Sequence, residues 1–264
     1  MRNKKGSVRF GLMLVLIFAL VAFPASAGAS HSWGGYHWAR TANPFTLKLG
    51  DNVSGAWDAM LVTASNDWSQ STVMDTTIVA GGTRPKTCRP TTGRVEVCNA
   101  SYGNTGWLGV AQIWLTGGTH ITQGTVKNND TYFGNSTYQY NNAAEMQHVI
   151  CQEIGHTFGL DHQSTDGTSL NTCMDYYHNT SASDTQSTHP NAHDYQELQT
   201  IYSHLDSTTT IGSMPAAMAN GDFSAPNAWG KLVSQSANGR ESLYERNFGN
   251  GFKVVTLVIW AEAQ

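Results

Sequence analysis

Charged side chains are scarce in this sequence. They make up 13% of its 264 residues, about half the usual share of a globular protein. Long salt-bridged surface helices and coiled coils are therefore excluded. A basic excess is missing too: 15 Lys+Arg stand against 19 Asp+Glu, a formal charge of -4. Counterion release from a phosphate backbone needs a basic face, so nucleic acid is not an expected partner. Proline is rare, at seven residues, and the 26 glycines follow no three-residue period, which excludes Pro-rich disorder and a collagen-like repeat. No self-similarity recurs at solenoid periods. Past residue 27 there is no apolar run long enough to span a bilayer. What is abundant is hydroxyl, amide and aromatic: Ser, Thr and Asn throughout, with eight Trp and ten Tyr.

The N-terminus has a distinct character. Arg2, Lys4, Lys5 and Arg9 precede an apolar run over residues 10–23, and Ala25-Ser26-Ala27 follows it. This is the pattern of a secretory signal peptide over 1–27, cut after Ala27. Fourteen apolar residues fall short of the ~20 that a spanning helix needs, and no Cys follows the run as a lipid anchor would require. The segment holds four of the Lys+Arg and none of the Asp+Glu. The exported chain of about 237 residues then carries a formal charge of -8. It is expected to be secreted, free of the membrane and monomeric. Its four cysteines, Cys88, Cys98, Cys151 and Cys173, suit two disulfides in an oxidising compartment, with three connectivities open. The short loop with Pro90 and Gly93 makes Cys88–Cys98 the natural local pair, leaving Cys151 for Cys173. Buried free thiols are the alternative.

Along the chain, residues 28–42 read as a loose N-terminal arm. Residues 45–49 alternate as a strand. Residues 56–68 place Trp57, Met60, Leu61, Ala64 and Trp68 at helical spacing, with Asn52 or Ser54 as cap. Strands are expected over 76–79, 94–97 and 107–115, and a strand pair over 120–122 and 125–127 turning at Gly124. Residues 143–158 form the clearest helix, and 193–205 another. Residues 207–228 read as a linker. Residues 229–264 read as a small β appendage whose turns are Asn238-Gly239 and Asn250-Gly251.

The chemistry is concentrated in Cys151-Gln152-Glu153-Ile154-Gly155-His156-Thr157-Phe158-Gly159-Leu160-Asp161-His162. On a helix, residues 152 and 156 lie one turn apart on the same face, so both can reach one metal. Glu153 sits beside them. Gly159 can end the helix in a left-handed conformation and return the chain, bringing His162 to the same point. Three ligands, an open position and an adjacent carboxylate are what a catalytic zinc requires: the metal lowers the pKa of bound water to ~7 and the Glu takes its proton.

These residues resemble the metzincin zinc signature, H-E-x-x-H-x-x-G-x-x-H. Asn171-Thr172-Cys173-Met174-Asp175-Tyr176 resembles the metzincin Met-turn, whose Met packs beneath the metal. The resemblance covers residues 43–206 and implies an α+β, zincin-like catalytic domain: a twisted mixed sheet, an active-site helix, a Met-turn and a C-terminal helix. The β-rich extension 207–264 follows it. It implies Zn2+ as cofactor, Gln152, His156 and His162 as metal ligands, Glu153 as general base and then acid, Tyr176 as a further ligand or oxyanion donor, and a protein or peptide substrate. Cys151 and Cys173 flank the ligand helix and the Met-turn, so their bridge would join the two. The sequence departs from the signature at one ligand, where Gln152 stands in place of His. A carboxamide oxygen is a neutral, weaker zinc ligand than imidazole. Three readings stay open: ligation through the Gln152 oxygen, a metal held by His156, His162 and another group such as Tyr176 or a distant His, or a degenerate site. His148, eight residues before His156, is too far along the helix to share its metal. His178, His189 and His193 read as capping or surface residues. The expected function is a secreted zinc endopeptidase. The alternatives are a catalytically weak or inactive binding module on the same fold, and an amidase or related hydrolase.

Overall fold

The computed structural model describes residues 31–209 and 213–261. The expected signal peptide lies outside the described residues. The class is α+β, with one mixed sheet of nine strands: β1 (His37–Trp38), β2 (Phe45–Asn52), β3 (Met74–Ala80), β4 (Arg94–Ala100), β5 (Trp107–Thr116), β6 (His120–Asn129), β7 (Lys231–Gln235), β8 (Glu241–Gly249) and β9 (Phe252–Trp260). The helices are α1 (Ala56–Trp68), α2 (Asp130–Phe133), α3 (Ala143–His156), α4 (Ala192–Ile201) and α5 (Ala216–Ala219). The strand order is β3-β2-β4-β6-β5-β9-β8-β7, with β1 also paired to β6. Strands β3, β2, β4 and β6 run parallel, and every pairing from β6–β5 to β8–β7 is antiparallel.

The two faces of the sheet are covered differently. Trp57, Leu61, Ala64 and Trp68 of α1 and Val149, Ile150 and Ile154 of α3 pack with Leu47, Leu49, Val95, Val97, Ala111, Ile113 and Val126 of the strands. The intervening β5 residues point the other way, as the two-residue strand period requires. Val110 meets Trp229, and Trp114 meets Met218 and Phe223. Helix α1 falls where its periodicity put it. Its N-cap is Gly55, without a side-chain cap, in place of the expected Asn52 or Ser54. Asn142 caps α3 by accepting from the Glu145 N–H at 3.0 Å. Asn191 and Asp194 form a reciprocal capping box on α4.

Three expectations need correcting. Residues 229–264 do not stand apart as an appendage. Strand β9 pairs with β5 along its whole length, and β8 and β7 extend the same sheet. Val254, Val255, Leu257, Val258 and Ile259 are all buried, which is why the hairpin belongs to the main core. The 28–42 arm is not loose where it is described. Trp33 and Trp38 are buried, and β1 pairs in parallel with the start of β6. Gly124 is not a turn but lies inside the continuous strand β6. A Cβ there would lie 3.3 Å from Val95 and 3.4 Å from Thr157, so the glycine serves close packing.

Candidate metal centre

Helix α3 carries the core of the signature across the sheet. Its approach to β5 depends on Gly109, where a Cβ would come within 2.6 Å of Glu153 Oε1 and 2.7 Å of Val149. Gly155 does the same on the other flank. A Cβ there would lie 2.6 Å from both Met174 Sδ and Trp68, so the turn at Met174 and α1 close directly on the helix backbone. The Cys151–Cys173 disulfide joins α3 to that turn, and Cys88–Cys98 closes the second bridge. The turn over residues 170–177 is held internally as well. The Asp175 carboxylate accepts from the Leu170 N–H at 2.7 Å and the Tyr177 N–H at 3.2 Å.

Gly159 adopts φ +99°, and a Cβ would lie 1.9 Å from the Tyr36 carbonyl oxygen. Only glycine fits this reversal. It returns the chain so that His156 Nε2 and His162 Nε2 stand 3.0 Å apart. Each imidazole is oriented through its other nitrogen. His156 Nδ1 donates to the Leu160 carbonyl at 2.9 Å, and His162 Nδ1 to Asp161 Oδ1 at 3.1 Å. This second layer of hydrogen bonds is the kind that fixes metal-ligating histidines. Trp33 stacks on His156 at a centroid distance of 5.0 Å, and the Tyr176 ring lies 4.3 Å from that of His162.

The structure adds a residue that the sequence reading missed. Glu241, at the start of β8, places Oε2 in direct contact with His162 Nε2. His156, His162 and Glu241 form a group able to hold a metal ion. Two imidazoles and a carboxylate are a known donor set for catalytic zinc. Gln152 donates its amide N–H to the Asp175 carbonyl at 2.9 Å, which leaves Oε1 as its free donor atom for a cation. That oxygen, both carboxylate oxygens of Glu153 and Glu241 Oε1 are buried without a hydrogen-bond partner. Buried polar atoms are nearly always paired. His156, His162 and Glu241, with unpartnered oxygens of Gln152 and Glu153 on the same helix as His156, are a donor set that fits a divalent cation.

The electrostatics have the same origin. Burial raises the Glu153 pKa well above the usual carboxylate range and the Glu241 charge adds to this, while the charge on His162 and then the Ala111 and Ile259 backbone amides oppose it. Burial and then the charge on His162 push His156 well below its ordinary value. For His162, burial alone would lower the pKa. The Glu241 charge and the Asp161 hydrogen bond outweigh it and lift the pKa to about 10. Burial keeps the Tyr176 phenol protonated.

The remaining histidines have separate partners. His148 Nδ1 donates to the Ser187 carbonyl at 3.0 Å, His178 meets Glu145 at 2.7 Å, His189 meets Asp67 at 2.6 Å, and His193 stacks on His31. The candidate centre is closed: Gln152, Glu153 and His156 are all buried. A cleft of about 500 Å³ lies elsewhere, on the sheet face opposite α3, lined by Arg89, Gln112, Lys127 and Asp222 among others. Among the described residues no helix is long and apolar enough to cross a membrane. No family model matches this chain, and no curated protein matches it as a relative.

Proposed function

We propose that this chain is a secreted zinc endopeptidase whose centre is closed, in the form described here, by its own C-terminal strands. The observation that carries the reading is the meeting of His156, His162 and Glu241 in one group, with unpartnered buried oxygens of Gln152 and Glu153 on the helix that bears His156. His156 and His162 would hold the ion, with Gln152 Oε1 as a further donor. A bound zinc supplies Lewis acidity toward the scissile carbonyl and toward water. Glu153, its carboxyl pKa raised by burial, is suited in its ionised form to take a proton from water and pass it to the leaving amine nitrogen. Tyr176, protonated and beside His162, is suited to donate to the developing oxyanion.

The reading includes the closure. An extended peptide binds readily by adding a strand to a free sheet edge. The edge of β5 beside Glu153 is taken by β9, and Glu241 of β8 contacts His162. Substrate access therefore requires this hairpin to yield, and Glu241 is its direct contact with the metal ligands.

The same burial favours a second reading, a non-catalytic secreted module in which His156, His162 and Glu241 enclose a structural ion. The two are separated with the exported, tag-free chain, its Glu153→Ala variant and its Glu241→Ala variant. Zinc content is measured for each, together with cleavage of an unfolded protein substrate. The peptidase reading expects zinc in all three. It expects cleavage lost by at least ~100-fold in Glu153→Ala and increased in Glu241→Ala. Zinc without Glu153-dependent cleavage supports the module, and zinc lost in Glu241→Ala makes Glu241 an obligate ligand. Absence of bound zinc from all three overturns both.

A further inference from the structure

A second cluster of metal-ligating side chains lies away from this centre, where β1, the start of β6 and the chain following α4 meet. His37 is in β1, His120 opens β6, and His204 and Asp206 follow α4. His37, His204 and Asp206 bring one donor atom each within 4.8 Å of one another. Asp206 Oδ1 lies 3.4 Å from His37 Nε2, 3.2 Å from His120 Nε2 and 3.7 Å from His204 Nε2. His204 Nε2 is 3.1 Å from His37 Nε2. Three imidazoles thus turn the same nitrogen toward one carboxylate oxygen.

The surroundings orient these donors. His37 Nδ1 donates to the Gly35 carbonyl at 2.6 Å, so in the neutral imidazole Nε2 bears the lone pair. Burial, the largest influence on His37, lowers its pKa and favours that neutral form, against the pull of Asp206. A lone pair then faces the Asp206 carboxylate oxygen, acceptor toward acceptor. The other oxygen, Oδ2, is already engaged by the Arg40 guanidinium and the Arg40 backbone N–H, both at 3.1 Å. Arg40 also donates to the His204 carbonyl. The Asp206 N–H donates to the Arg40 carbonyl at 2.8 Å and the His37 N–H to that of Thr119 at 3.0 Å, so backbone hydrogen bonds link the three contributing segments. His37 and Asp206 are largely buried, while the side chains of His120 and His204 are 32% and 50% exposed, which leaves a route from solvent.

From this geometry we infer that His37, His204 and Asp206 form a second, structural site for a divalent transition metal of the zinc class, with His120, whose Nε2 lies 3.2 Å from Asp206 Oδ1, as the side chain that turns in as fourth ligand. Three imidazoles and one carboxylate make the four-ligand set of a closed zinc site, and imidazole-rich donors exclude calcium and magnesium as the preferred ions. The ion would pin the N-terminal strand to the body of the domain. This site shares no residue with the His156–His162 centre and does not depend on the peptidase reading.

The test uses the tag-free exported chain, stripped with chelator and titrated with Zn2+, beside the variants His204→Ala and His120→Ala. Both side chains are partly exposed, and circular dichroism verifies that each variant folds. The wild type is expected to bind one equivalent of zinc more than His204→Ala. His120→Ala is expected to weaken the same step by at least ~10-fold. The rise in Tm on adding zinc should be smaller in both variants. Equal stoichiometry and an equal zinc-induced Tm shift in wild type and His204→Ala would overturn the site and leave a cluster of histidines sharing protons. Failure of the His156–His162 centre would instead lower the count in wild type and variant alike, preserving the difference of one.

Discussion

Gln152 is the residue on which the ligand set turns. Its amide nitrogen is committed to the Asp175 carbonyl and its oxygen is buried without a partner. A carboxamide held this way presents oxygen to a cation without having to reorganise. Replacing it with imidazole should strengthen the site, because nitrogen donors suit zinc better than a neutral oxygen. Gln152→His is expected to bind zinc more tightly than wild type by competition against a chelator. Unchanged affinity would remove Gln152 from the ligand set. Gly155 makes a different demand. A methyl group there meets Met174 Sδ and a Trp68 ring at 2.6 Å, and overpacking of this kind costs about 1–3 kcal/mol. Gly155→Ala should lower the Tm accordingly, and an unchanged Tm would mean that the turn at Met174 is not tight against α3. The helical register of Gln152, Glu153 and His156 and the reversal at Gly159 were legible because each is a local rule of spacing or sterics. Glu241 was not. It lies 79 residues beyond His162, and its only sequence signal is an acidic residue opening a hydrophobic strand just after an Asn-Gly turn.

At the scale of elements, periodicity located α1, α3, α4 and most strands. What it missed came from pairing between distant segments. The outer edge of β5 is filled by β9, about 140 residues later in the chain, and nothing local to either strand announces the partner. Gly124 shows the converse error, since a glycine inside a strand pattern has the same appearance whether it turns the chain or admits a neighbour. The aromatic content of the N-terminal arm was the available hint that Trp33 and Trp38 belong to the core. The turn over residues 170–177 should respond to pH as an element. Burial raises the Asp175 pKa to about 6, with the Glu241 charge adding and the Leu170 and Tyr177 amides opposing. The folded state then holds a proton that the unfolded chain, with an Asp pKa near ~3.9, has released. The linked stability is present in full below that lower value and is lost as pH rises through about 6. Asp175→Asn should therefore show a smaller fall in Tm than wild type between about pH 4 and pH 6.5. Identical profiles would place the Asp175 pKa near its ordinary value.

At the scale of the molecule, one sheet joins helix α3 of the candidate centre to the strands that cover it. The C-terminal residues thus act on the site through the fold rather than as a separate unit. One face of β5 packs on α3, the other carries the 213–229 layer, and its free edge is closed by β9. Composition indicated a protein rich in hydroxyls and aromatics without a basic face. It gave no indication that the chain would close over its own candidate centre. The central claim, that this centre holds a metal, is tested most directly by anomalous diffraction at the zinc edge from crystals of the tag-free chain grown with zinc. The account predicts a peak bonded at ~2.0–2.1 Å to both His156 Nε2 and His162 Nε2. A zinc-saturated crystal with no anomalous peak between those two nitrogens would contradict it.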